Sequence, residues 1–167
     1  MHEQLTPPAI TLRATADDDL PGFFAHQRDR LAAHMAAFTA KDPDDWPAFL
    51  AHWAKVRADS GITIRTILVA GQVAGSVLVH GWFGEPEISY WIGREFWGRG
   101  VATAALRLFL AEVTVRPLYA RAASDNAGSI RVLEKCGFVK AGEARGFANA
   151  RGAEIDEVIF RLGEDAV

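Results

Sequence analysis

The stretch YWIGREFWGRGVATAALRLFL, residues 90–110, constrains the fold more than any other. An apolar run of strand character enters a turn with Gly98 and Gly100, and an alanine-rich helix follows at once. The first backbone N–H groups of a helix have no partner within it, and they point where the helix dipole is positive. Glycine lets such a backbone approach a ligand without a Cβ in the way. The pattern reads as a cradle for a phosphate or pyrophosphate. Arg94 and Arg99 stand where charge-assisted contacts would add to it. Ala102, Thr103, Ala104 and Ala105 keep the following helix slim. A helix start with nothing bound is the competing reading. Two nucleotide motifs are disfavoured by spacing. A Walker loop needs GxxxxGK followed by Ser or Thr, which is absent, and a GxGxxG fingerprint needs glycine where Thr103 stands.

Around this stretch the hydrophobic period sets the order of elements. Residues 9–14 alternate and predict a first strand. Asp17, Asp18 and Asp19 mark a helix start. Residues 20–40 carry helical spacing with Pro21-Gly22 interrupting near the beginning, and the loop KDPDDWP precedes a further helix with Phe49, Trp53 and Val56 on one face. Residues 62–70 and 73–80 read as a hairpin turning at Gly71-Gln72. GWFGEP breaks it, and residues 87–92 form the next strand. A helix over 101–113, a strand over 117–123 and a helix over 129–136 stopped by Gly137 follow. Two last strands span 138–144 and 154–162, joined by a loop at 147–152. The order β-α-α-β-β-β-α-β-α-β-β describes a mixed sheet with helices on it.

Composition excludes several classes. A chain of 167 residues fits one domain. With 50% hydrophobic and 23% charged residues it reads as a soluble globular protein. A net charge of −3 gives no basic field for nucleic acid. Cys136 is the only cysteine, so neither a disulfide framework nor a zinc-ligand set exists. No apolar run is long enough to span a bilayer. The start, MHEQLTPPAITLR, has an acid and no apolar h-region, so no secretory signal and a cytoplasmic location are expected.

A second constellation, SDNAGSIRVLEKCGF, runs over 124–138. Asn126 lies in a loop and Ser129 opens the next helix, with Ile130 and Leu133 as its apolar stripe. Helix capping by Asp125 or Asn126 explains the polar residues without any ligand. Two successive strand–loop–helix units, however, make a cleft if the sheet splays between their strands.

The combination of YWIGREFWGRGVATAAL with DNAGSIRVLEKCGF resembles the GCN5-related N-acetyltransferase (GNAT) superfamily, most like the branch typified by ribosomal-protein N-terminal acetyltransferases. The resemblance covers residues 62–162, with 15–60 as a helical acceptor-side region of the same single domain, 1–167. It implies an α/β (α+β) GNAT fold: a mostly antiparallel mixed sheet splayed between two parallel strands, 87–92 and 117–123, with helices on both faces. It implies acetyl-CoA as acyl donor in the split, no metal, and an amine acceptor that is a small molecule, protein or peptide. The cofactor contacts it implies are Trp91, Ile92, Gly93 and Arg94 at the strand's end, then Gly98, Arg99, Gly100, Val101, Ala102 and Thr103 at the turn. Asn126, Ser129 and Arg131 follow from the second unit. Asn126 matches the asparagine that bonds the pantetheine arm or substrate, and Arg131 a contact to a CoA phosphate. The family's loop has Gln or Arg where Glu95 stands. Its helix tyrosine, which protonates the leaving thiolate, is replaced by Leu133, with Ser129 as substitute acid.

Acetyl transfer to an amine requires the reactants held together, a donor for the thioester oxygen and a proton acceptor for the amine. A backbone N–H at Ile92 or Gly93 is the candidate donor and Glu87 the candidate base, with Glu85 behind it. An exposed strand carboxylate is the plain alternative for Glu87. His26, His34, His52 and His80 read as partly buried or surface histidines, Cys136 as core, and Asp42, Asp44 and Asp45 as a solvated loop. The five tryptophans read mostly as core, with Trp82 placed to wall the acceptor pocket. A non-catalytic acyl-CoA-binding sensor of the same fold is the second expectation, and a different nucleotide binder the third. Monomer and homodimer both stand, the latter through an exposed final strand.

Overall fold

A computed structural model describes residues 9–164. Residues 1–8, on which the expectation about a secretory signal rests, lie outside the described residues. Seven strands form one sheet in the order β1-β2-β3-β4-β5-β7-β6. They are β1 (Ile10–Ala14), β2 (Thr63–Val69), β3 (Gln72–His80), β4 (Glu87–Ile92), β5 (Leu118–Ala123), β6 (Val139–Ala148) and β7 (Ala153–Leu162). Every neighbouring pair is antiparallel except β4 and β5. That pair is parallel and joined only at Glu87 and Tyr119, where the Tyr119 amide donates to Pro86 O at 2.9 Å. From there towards Ile92 and Ala123 the strands part. The expected splay between two parallel strands is present.

The helices are α1 (Leu20–Gln27), α2 (Arg30–Ala36), α3 (Trp46–Ala58), α4 (Val101–Glu112) and α5 (Ala127–Lys135). They cover both faces. Val101, Ala105, Leu106 and Phe109 of α4 and Leu133 of α5 pack with Val77, Ile88, Ile92, Leu118 and Phe160 of the sheet into the main core. On the other face Leu20, Phe23, Phe49, Trp53 and Val56 from α1 and α3 form a second cluster against Ile64 and Val73. Alternation along β4 follows from this. Ile88, Tyr90 and Ile92 face α4 and α5, and Glu87, Ser89 and Trp91 face the α1 side.

Several expectations need correction. Residues 20–40 are two helices, not one, because Asp29 accepts from the amides of Leu31 and Ala32 and caps a new helix. Pro21 interrupts nothing, since it sits in the first turn of α1, where its missing N–H costs no bond. Asp19, at the end of a short 3-10 turn, does not face a helix dipole in solvent. It is 2% exposed and binds Arg13, Thr66 and the Ala16 amide, which ties β1 to β2. The β2–β3 turn is Ala70-Gly71, with φ of 49° and 82°, and Gln72 already pairs in the sheet. Strand β6 runs on to Ala148, and β7, the last strand, lies between β5 and β6. The final strand therefore has no free edge, and the free edges belong to β1 and β6. The tryptophans are not mostly core. Trp53 is buried, while Trp46, Trp82 and Trp97 are exposed by 36%, 50% and 41%.

Candidate active site

The end of β4 and the turn that follows build one wall of the split. Gly93 is buried, and a Cβ there would stand 2.7 Å from His26 Nε2, so glycine leaves the room that the His26 ring of α1 occupies. A short 3-10 turn, Arg94–Phe96, leads to Gly98 and Gly100, whose φ angles of +72° and +73° favour glycine. Nothing lies within 4 Å of where a Cβ would sit at either residue. Gly100 is the N-cap of α4 and supplies no side chain to its free amides. The first turn of a 12-residue helix is thus open, uncapped and positive. These features fit an anionic diphosphate.

The arginines divide. Arg94 Nε forms an ion pair with Asp29 at 2.8 Å, which binds the turn to α2. Arg99 is exposed, stacks over Phe96 at 5.7 Å, and borders an open depression of about 510 Å³ with Gln72, Val73 and Glu95. Arg131 is exposed on α5. Glu95 turns to His26, at 3.7 Å, rather than over the glycine turn. Val101 is buried, and Ala102 and Thr103 are half-buried beneath the helix start. A larger open depression, about 730 Å³ beside Arg65, Glu85 and Glu112, lies at the opposite end of β4 and has no such cradle.

Backbone bonding decides between the two candidate amides. The Gly93 N–H is already given to Ala74 O at 2.8 Å, so the expectation that it serves as a free donor is corrected. In an antiparallel pair successive amides alternate in direction, so the Ile92 N–H points away from β3, towards the split. Trp97 Nε1 donates to Ile92 O at 2.9 Å and holds the following peptide, Ile92–Gly93, in place. Trp91 is half-buried, and its Nε1 is buried without a partner.

The second unit forms the other wall. Asn126 does not float in a loop. It is the N-cap of α5, with Oδ1 accepting from the Ser129 amide at 3.2 Å and Nδ2 donating to Met35 O at 3.1 Å. Capping therefore accounts for Asn126, and Ser129 lies in the first turn of α5 instead of opening it. The Ser129 hydroxyl meets the Tyr90 hydroxyl at 2.7 Å. Burial pushes the Tyr90 phenol up to about 12, so it stays protonated and able to donate. Tyr90 is the functional candidate that the sequence reading passed over. The signal was strand alternation. Ile88 and Ile92 are apolar, so Tyr90 between them shares their face, and a phenol buried there needs a partner. Leu133, where the family tyrosine is expected, is fully buried core.

Glu87 is a buried carboxylate, 6% exposed, which corrects the plain alternative of an exposed strand acid. Arg121 Nε donates to it at 3.2 Å, and Arg121 Nη1 also reaches Glu157 at 3.1 Å. Burial raises the Glu87 pKa, and the Arg121 charge only partly offsets that. His80 stands 3.7 Å from Glu87 and 3.1 Å from Ser89 Oγ. The Trp82 amide donates to His80 Nδ1 at 3.3 Å, so the proton sits on Nε2 and points to Ser89. Burial lowers the His80 pKa to about 4, which keeps the ring neutral. Glu85, by contrast, is exposed. Cys136 packs half-buried against the main core, as expected, and burial raises its thiol pKa.

The family model described as Acetyltransferase (GNAT) domain matches residues 9–139. A Bacillus subtilis (strain 168) protein named "Putative ribosomal N-acetyltransferase YdaF" is 29% identical over 92% of this chain and 90% of its own length. Among solved structures, Mycobacterium smegmatis RimJ in complex with CoA-disulfide superposes with a TM-score of 0.72 and 24% identity, over 92% of this chain and 81% of that one. Spermidine N-acetyltransferase from Vibrio cholerae, in complex with CoA and spermine, superposes with a TM-score of 0.73 and 20% identity, over 91% of this chain and 95% of that one. At these identities the two structures share the fold.

Proposed function

Because the chain belongs to the GNAT acetyltransferase family, we propose that it transfers the acetyl group of acetyl-CoA directly to a primary amine, with both held in the split at once. The observation that carries this reading is the parting of β4 and β5 beside a glycine-opened, uncapped helix start. Gly98, Gly100 and the first amides of α4 hold the diphosphate, and Arg99 and Arg131 neutralise the outer phosphates. Acetyl-CoA supplies an activated acyl carbon and a thiolate leaving group.

The chain's own groups sit on both sides of that bond. The Ile92 N–H polarises the thioester oxygen, a task worth several kcal/mol where water is excluded, about 3 in well-studied cases. Glu87 lies on the α1-side face of β4 and takes the proton released by the attacking amine. Its raised pKa brings it nearer to that of the proton donor it serves. Arg121 holds the carboxylate in place, and the neutral His80 ring, bonded through Nε2 to Ser89, packs beside it. Ser129 lies on the opposite face and gives its proton to the departing sulfur, Tyr90 replaces that proton through their 2.7 Å bond, and solvent restores the Tyr90 proton when the product leaves. Proton uptake and proton delivery thus occur on opposite faces of one strand.

The test is release of free CoA from acetyl-CoA on addition of a primary amine, with and without Glu87→Gln. Turnover should fall about 100-fold in the variant, with acetyl-CoA affinity unchanged. Wild-type activity should rise with pH as Glu87 loses its proton. An unchanged rate across pH would remove Glu87 as the base. Binding of acetyl-CoA with no CoA release for any amine would favour the sensor reading.

A further inference from the structure

The acceptor side of the split carries a charge balance and an aromatic rim that have no part in holding acetyl-CoA. Glu87, Ser89, His80, Arg121 and Glu157 meet on the sheet face turned to α1. Glu87 and Glu157 are two carboxylates sharing the single Arg121 guanidinium, and His80 is neutral. One negative charge is left over, on groups that are 8% and 11% exposed in their side chains. Above this cluster stands the β3–β4 loop. Trp82 stacks on His80 at 3.9 Å and 18°, and the Phe83 ring lies 4.8 Å from the Arg121 guanidinium carbon. The outer faces of both rings are open: Trp82 is 50% exposed and Phe83 64%. Gly81 and Gly84 flank the pair, and Gly84 has φ +93°, so the loop is free of side-chain constraint at both ends. His52 of α3 extends the aromatic wall, 6.2 Å from Trp82.

Resting on the acetyl-transfer reading above, we propose that the acceptor is an amine with a single positive charge and an aromatic or apolar group next to it, selected by Trp82 and Phe83. A polyamine would bring several charges, where the cluster leaves one carboxylate uncompensated and the loop adds only Glu85, which is exposed to solvent. An amino acid would bring a carboxylate beside its amine, and the only guanidinium in the cluster is already shared by two carboxylates. A polyhydroxylated amine would set hydroxyls against two ring faces. A monocation with an apolar neighbour satisfies the leftover charge and covers the rings, with the ammonium directed past Phe83 towards Glu87. A free arylalkylamine and a peptide N-terminus with an aromatic first side chain present the same chemistry.

The experiment measures CoA release from acetyl-CoA with four acceptors: 2-phenylethylamine, a phenylalanyl peptide amide, spermidine and kanamycin. Wild type, Phe83→Ala, Phe83→Leu and Trp82→Ala are compared, and melting with acetyl-CoA is recorded for each. The proposal expects one or both aromatic acceptors to exceed spermidine and kanamycin in kcat/KM, the ratio between the two identifying the source. Phe83→Ala should raise the aromatic acceptor's KM by about five- to tenfold, with Phe83→Leu intermediate and the acetyl-CoA melting shift intact. Preference for spermidine or kanamycin, or a KM indifferent to both rings, overturns the proposal and leaves acetyl transfer standing. No CoA release with any of the four, while acetyl-CoA still binds, overturns the proposal, and the transfer reading falls with it only if a broad panel of primary amines is equally silent.

Discussion

Tyr90 and Ser129 come from positions 39 residues apart and meet at 2.7 Å. Two hydroxyls in one chain behave as one proton source, and groups acting as a unit are not additive. Ser129→Ala should lower kcat by about 100-fold. Tyr90→Phe should lower it by a comparable factor, and the double variant should be little worse than either. Steady-state kinetics on the four proteins checks this, and additive losses would separate the two roles. At this scale the sequence was legible where a residue's meaning is local. Gly98 and Gly100 could be read directly, because positive φ and an open Cβ position are demands that glycine itself announces. Asn126 was legible as a cap for the same reason. Glu87 was visible as a carboxylate but not as a buried one, because Arg121 and His80 approach it from two other strands and Glu157 shares Arg121 from a third. Such long-range partners leave no spacing in the sequence.

Among elements, the proposed unit of function is the strand-to-helix passage from β4 to α4. Gly100→Ala puts a Cβ at φ +73°, which strains the turn by about 1 kcal/mol. The same Cβ intrudes on the approach of a diphosphate. Melting should therefore drop by only a few degrees, about 2–4 °C, while acetyl-CoA affinity falls more than that loss explains. Calorimetric titration and melting on the same sample separate the two effects. Equal affinity in the variant would remove the turn as the cradle. Strand β4 and helix α4 were legible nearly to the residue because period and glycines agree there. The break between α1 and α2 was not. Residues 20–40 keep helical spacing throughout, and the interruption depends on Asp29 choosing the Leu31 and Ala32 amides and being held by Arg94 from the β4–α4 turn. A tertiary contact overrode a local pattern.

Over the whole molecule, the sheet places the acceptor cluster and the two hydroxyls on opposite faces of one strand, and buried charge ties the sheet together. His80 is neutral when folded, with a pKa near 4 against 6.5 unfolded. Between those values the unfolded chain binds more protons at this residue, so the His80 contribution to stability rises with pH through that window and is lost as pH falls through it, opposed above about pH 4.5 by Glu87, whose pKa burial raises. The loss is about 3 kcal/mol at most. Asp19 contributes in the same direction lower down. Its carboxylate, held at about 2 by Arg13, Ala16 and Thr66 despite its burial, adds stability that is lost below about pH 4. Urea unfolding at several pH values checks this, and His80→Gln should flatten the slope between pH 4 and 6.5. The succession of seven strands along the chain was expected because successive periods and turns specify it, and the parallel pair and the helices on both faces were expected from the family resemblance. Which strand forms the edge was not, since β7 inserts between β5 and β6 by pairing that no local pattern encodes.

The central claim is that the glycine-opened start of α4 and the β4–β5 split hold acetyl-CoA. The most direct measurement is thermal melting with acetyl-CoA, with NAD and ATP as controls. At about 100 times its Kd a ligand adds roughly 2.7 kcal/mol, which for a chain of this length is a rise of about 5–10 °C. The account predicts that rise with acetyl-CoA and none with NAD or ATP. No shift at saturating acetyl-CoA, or an equal shift with NAD, would contradict it.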